Sequence, residues 1–141
     1  MIIFKNFKLI DVIDKDIKEG LSLSVENGYI EDISKVSNVL AEPDDQVVDL
    51  EGNFIMPGMF NVHIHALSTP IANPASLNYE DPSKITLRGL YHLQQHLKSG
   101  VTFVRDMNGR KQVEVGLRDA IREKIALGPE YYVAGQCLTM T

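Results

Sequence analysis

The residues best suited to chemistry in this 141-residue chain are two histidines one residue apart, His63-Ile64-His65. On a β-strand, side chains two apart project from the same face. Two imidazoles on one face can converge on a single cation, with Zn–N bonds of about 2.0–2.1 Å. Neutral imidazole is a borderline donor that suits zinc and several other divalent ions. Val62 and Ile64 are expected on the opposite face, packed against helices. Taken alone, an H-x-H pair also fits two surface histidines at a strand end, so the elements around it decide its weight.

Those elements fall into two stretches. Residues 1–57 read as β-structure. Leu21-Ser22-Leu23-Ser24-Val25 alternates apolar and polar residues, the pattern of a strand with one buried face. Tyr29 to Ile33 forms a second strand, and Asn27-Gly28 between them is the preferred pair for a tight hairpin turn. Val47–Leu50 and Asn53–Met56 repeat the idea around Glu51-Gly52, and residues 2–13 supply a further strand. Residues 41–46, with a proline and several acids, read as loop.

The pattern changes at Pro57-Gly58. Met59 to Ile64 is a short apolar strand carrying the histidines. A long loop with three prolines follows, from Ala66 to Pro82, and loops of this length inside compact domains are often functional. Ser83 is expected to cap a helix that runs to about Ser99, with Ile85, Leu90, Leu93 and Leu97 along its buried stripe and Gly100 as its stop. Val101 to Arg105 is a β-branched strand. Lys111 to Leu127 forms a second helix burying Val113, Leu117, Ala120, Ile121 and Ile125, and Gly128-Pro129 ends it. Tyr131 to Ala134 is a third strand. Strand, helix, strand, helix, strand argues for βα units on a parallel sheet. The expected fold class is α/β, with β-strands in 1–57 followed by βα units on a parallel sheet in 58–141. His63 and His65 then lie at the C-terminal end of a strand, where parallel barrels place their active sites.

Composition excludes several alternatives. The hydrophobic fraction of 44% and charged fraction of 23% belong to a globular protein rather than a disordered one. The net charge is −5 and no Lys/Arg cluster stands out, which argues against a nucleic-acid partner. No apolar run approaches the roughly 20 residues of a membrane helix, and the N-terminus lacks the apolar core of a signal peptide. With a single cysteine, Cys137, no intrachain disulfide can form, which suits a reducing compartment. These features point to a cytoplasmic protein.

Met56-Pro57-Gly58-Met59-Phe60-Asn61-Val62-His63-Ile64-His65 resembles the signature that opens the barrel in the amidohydrolase superfamily. Gly100-Val101-Thr102-Phe103-Val104-Arg105-Asp106 resembles that superfamily's second barrel strand, and Gly128-Pro129-Glu130 with Tyr131–Gly135 resembles the entry to its third. Asp49-Leu50-Glu51-Gly52 matches the usual approach to the first. Within the superfamily the chain looks most like the branch of Xaa-Pro dipeptidases and imidazolonepropionases. One departure is Asn61, where many relatives carry aspartate. Asparagine still hydrogen-bonds but is uncharged.

The resemblance implies a metal-dependent hydrolase of amide or cyclic-amide C–N bonds. It would use one or two divalent ions, most simply zinc, with His63 and His65 as the opening ligands and a dipeptide or other small molecule as substrate. It also implies groups this chain lacks: a metal-bridging lysine, often carbamylated, two further histidines and an acid–base aspartate. For the fold it implies N-terminal β-sandwich strands (1–57) followed by the first βα units of an incomplete (β/α)8 barrel (58–141), since residues 58–141 fall well short of the about 250 that a complete barrel takes. An N-terminal fragment, inactive by itself and self-associating through open strand edges, is the expectation. The competing reading is a non-catalytic structural or interaction module that assembles with another chain. Of the remaining candidates, His92 and His96 share a helix face without the glutamate of an H-E-x-x-H site and read as a polar outer face. Asp106 reads as a residue that orients the loop after its strand. Arg105 reads as half of an outward ion pair, and Cys137 as a buried structural thiol.

Overall fold

The structure, a computed structural model, describes all residues except 37–40, 71–75, 77–78, 137 and 139–141. The chain forms two compact units, Met1–Pro57 and Gly58–Thr141.

The first unit is one five-stranded sheet. Strands β1 (Ile2–Asp11), β2 (Asp16–Glu26), β3 (Tyr29–Lys35) and β4 (Gln46–Asp49) lie in the order β3-β2-β1-β4, and β5 (Phe54–Ile55) also pairs with β1. The β2–β3 hairpin turns at Asn27 and Gly28, with φ of 51° and 84°, the left-handed pair that a tight hairpin turn requires. Two expectations are corrected here. Residues 46–49 and 54–55 do not pair with each other. Both run parallel to β1, because the left-handed turn at Glu51 and Gly52 advances the chain along β1 instead of folding it back. The alternation in β2 does not separate a buried from an exposed face either. Ser22 and Ser24 are as buried as Leu23, and their hydroxyls donate to the Ser34 and Asp32 carbonyls of β3. Only one layer of the expected sandwich lies among the described residues.

The second unit is a three-stranded parallel sheet, β6 (Met59–Ile64), β7 (Val101–Asp106) and β8 (Glu130–Val133), in the order β6-β7-β8. Helices α1 (Pro82–Lys98) and α2 (Val113–Arg122) connect the strands. Ile64, Val104 and Tyr131 pack with Leu67, Ile85, Leu93 and Leu117 in one buried cluster, so both helices cover the same sheet face. On the alternate residues, the Phe60 ring stacks on Phe103 at 4.8 Å between centroids, and Phe103 lies 5.1 Å from Tyr132.

The helix ends differ from expectation. Asp81, not Ser83, caps α1: its carboxylate accepts from the Ser83 N–H at 2.8 Å, and Pro82 occupies the first turn, where no N–H is needed. Gly100, at φ 87°, ends α1 as the sequence suggests. Helix α2 is shorter than 111–127. Lys111 and Gln112 are left-handed, so it begins at Val113. It ends at Arg122 because Lys124 adopts φ 61°, the Lys124 N–H bonds the Ile121 carbonyl and the Ile125 N–H bonds the Ala120 carbonyl. That is a Schellman ending with lysine where glycine is usual. Ile125 is consequently exposed.

Candidate metal centre

Strand β6 does not carry its histidines by simple alternation. Asn61 pairs with Val104 and Ile64 with Asp106, so three residues of β6 advance against two of β7. This β-bulge breaks the expected pairing of Val62 with Ile64: Ile64 is buried in the core cluster while Val62 is half exposed. An extra residue re-aims the side chains that follow it, a common device beside functional sites. Two polar side chains brace the bulge. Asn61 Oδ1 accepts from the His63 N–H at 3.3 Å, and Arg105 Nε donates to the Val62 carbonyl at 2.8 Å. Arg105 therefore serves the backbone rather than an acid. Asn61 meets its local demand through an acceptor oxygen that asparagine and aspartate share.

His63 and His65 are both exposed, and their ring centroids lie 5.3 Å apart with the rings nearly perpendicular. Two imidazoles sharing one tetrahedral zinc at about 2.0–2.1 Å per bond would have centroids roughly 5.2 Å apart. The spacing of the pair thus suits a common cation. Among the described residues, no group of three or more His, Cys, Asp or Glu side chains gathers around a metal-sized space. The donor set fits the start of a metal site, with two of the three or four protein ligands that zinc takes.

The backbone leaving His65 is held on every side. The Ser68 N–H bonds the His65 carbonyl at 3.1 Å, and the Met107 N–H bonds the Ile64 carbonyl at 3.1 Å. Asp106, fully buried, accepts the Ala66 N–H (3.0 Å) and the Tyr131 hydroxyl (2.6 Å) on Oδ2, and the Asn108 N–H (3.1 Å) on Oδ1. Burial, followed by the bond to Asp106, pushes the Tyr131 phenol far up, so it stays a donor. Asp106 orients its own loop as the sequence suggested, and also reaches into two neighbouring segments. His92 is not part of a polar outer face: its Nδ1 lies 2.8 Å from the Ala66 carbonyl. Nothing in the spacing of His92 and His96 signals that contact, because the partner is a main-chain atom 26 residues away.

The Amidohydrolase family model matches residues 54–141. The chain belongs to the amidohydrolase family. Among curated relatives, it is 30% identical to a 5-methylthioadenosine/S-adenosylhomocysteine deaminase of Acetivibrio thermocellus, over 65% of this chain and 25% of that protein. Among solved structures, it is similar to an amidohydrolase (26% identity, TM-score 0.85, covering 98% of this chain and 32% of the other). It is also similar to a Xaa-Pro dipeptidase with methionine bound in its active site (25% identity, TM-score 0.76, 97% and 34%). This amidohydrolase chain spans about a quarter of the length of that curated relative and about a third of the solved chains. The family is generally metal-dependent. Cys137 and the middle of the Ala66–Pro82 loop lie outside the described residues. No described helix is long and apolar enough to cross a membrane.

Proposed function

We propose that this chain supplies the opening metal-ligand pair, His63 and His65, of an amidohydrolase that cleaves amide or cyclic-amide C–N bonds of small molecules or dipeptides. The observation that carries the proposal is the pair of imidazoles 5.3 Å apart at the C-terminal end of β6, within the family match. On this reading, Gly58–Thr141 forms the first strands and helices of a (β/α)8 barrel, and Met1–Pro57 forms part of a small β-sandwich domain. The setting is cytoplasmic, and the Xaa-Pro dipeptidase branch is favoured by the likeness to the methionine-bound structure.

A divalent cation, most simply zinc, supplies Lewis acidity and an acidified water when bound. His63 and His65 would hold it through their ring nitrogens. The bulge, braced by Asn61 and Arg105, keeps both rings on the solvent side while Ile64 anchors the strand. Two ligands alone would hold zinc weakly, and no further ligand gathers with them among the described residues, so the 141-residue chain by itself is expected to be inactive.

The test is zinc binding by calorimetry. One weak equivalent should bind to the parent chain and be lost in His63→Ala/His65→Ala, with no metal-dependent turnover of amide substrates by either. Unchanged binding in the double variant would dismiss the ligand assignment, and turnover by the chain alone would dismiss the claim of inactivity.

A further inference from the structure

We propose that Asp106 is a positioning residue for the metal centre: it fixes the backbone from which His65 projects, although it touches neither imidazole. The proposal rests on the reading of His63 and His65 as ligands.

Ala66 directly follows His65, and it is 3% exposed. Its N–H is held by the Asp106 carboxylate and its carbonyl by His92 Nδ1, so strand β7 and helix α1 grip one residue from opposite directions. The Tyr131 hydroxyl, from β8, shares the Oδ2 atom that holds Ala66. A single carboxylate at the C-terminal end of β7 thus bonds the residue that follows His65 and a side chain from within β8. No lysine or arginine contacts it among the described residues; its three donors are two backbone N–H groups and a phenol. A buried carboxylate kept without a cationic partner is costly unless every oxygen is occupied. That cost has an evident return in geometry, because metal ligands must be held within a few tenths of an ångström.

The donor pattern also dictates the residue type. Both carboxylate oxygens act only as acceptors. Asparagine would place an NH2 against either the Asn108 N–H or the Ala66 N–H, and one donor would lose its acceptor. Asp106→Asn is therefore a disruptive change despite equal size, whereas Tyr131→Phe removes only one of the three bonds.

The experiment is a Co2+ titration of the full chain, following the dissociation constant and the visible absorption of the bound ion, with Zn2+ as competitor. Variants are Asp106→Asn, Tyr131→Phe, His63→Ala/His65→Ala, and Ile121→Ala, which loosens the core outside this network. Each is checked for folding by thermal melting. Groups that orient metal ligands typically change affinity by about 10–100-fold. Asp106→Asn should weaken Co2+ binding by about tenfold and alter its absorption band, and Tyr131→Phe should do so by a smaller factor. Ile121→Ala should lower the melting temperature and leave affinity within about twofold. If Asp106→Asn does not fold, Tyr131→Phe decides the question. The proposal is overturned if Asp106→Asn and Tyr131→Phe bind Co2+ like the parent while the histidine double variant does not, or if Ile121→Ala weakens binding as much as Asp106→Asn. Unaltered binding in the histidine double variant would instead overturn the ligand assignment beneath it.

Discussion

Replacing Gly58 with alanine tests how closely β6 must approach β7. Gly58 is not among the glycines with positive φ, so alanine meets no backbone strain there. The constraint is space. An added Cβ would lie 2.0 Å from Thr102 Oγ1, 2.4 Å from Cγ2 and 2.7 Å from Cβ. Thr102 is exposed, so rotation about its χ1 can carry Oγ1 and Cγ2 into solvent. Its Cβ cannot move without the backbone. The strands must part by about 0.7 Å, the gap between 2.7 Å and the 3.4 Å at which ordinary contact begins. Overpacking of this kind costs about 1–3 kcal/mol. The adjacent bond from the Met59 N–H to the Gly100 carbonyl, 2.9 Å long, adds about 0.5–1.5 kcal/mol if it breaks. Alanine returns about 0.4–1 kcal/mol by restricting the unfolded chain. With Thr102 free to rotate, a net loss of about 1–2 kcal/mol is expected. Urea denaturation should show it as a lower midpoint with an unchanged slope. Thr102→Ala leaves the offending Cβ and should rescue the variant only in part, whereas Thr102→Gly removes it and should rescue more. A Gly58→Ala chain as stable as its parent would refute the reasoning.

Two further outcomes can be checked without metal. The Arg88 guanidinium, bonded to Glu80 at 2.8 Å ahead of α1, holds the Glu80 carboxyl down at about 2 against an ordinary 4.5. A lowered carboxyl stabilises the fold above its ordinary value and loses that contribution as pH falls toward about 2. Glu80→Gln should therefore melt below the parent at neutral pH and converge with it between about pH 4.5 and 2; a gap constant across that range would refute the linkage. Separately, β6 and β8 pair only with β7 among the described residues, which leaves two strand edges open. Sedimentation of the chain should show concentration-dependent self-association, and a single monomeric species at all concentrations would count against it.

Much of the secondary structure is written in local pattern. The Asn27-Gly28 hairpin, the stop of α1 at Gly100 and the alternation of strands and helices after Pro57 each depend on residues a few positions apart. Where expectation failed, the deciding partner was distant or the signal atypical. Helix α2 ends at Arg122, ahead of a left-handed Lys124 that no propensity marks, five residues before the Leu127 end that Gly128-Pro129 suggested. Val47–Leu50 and Asn53–Met56 read as a hairpin, yet the strands that form there, 46–49 and 54–55, pair with β1, more than 40 positions earlier.

The same division runs through the candidate site. The sequence by itself determined that two imidazoles sit one residue apart at a strand end ahead of βα units, since that follows from residue type and spacing. Tertiary structure decided how they are presented. The bulge that separates Val62 from Ile64 arises from pairing with β7, and the grip on Ala66 comes from Asp106 and His92, 40 and 26 residues away. Patterns along a chain encode which faces are apolar; which buried oxygen meets which N–H is settled only when separate segments close on one another.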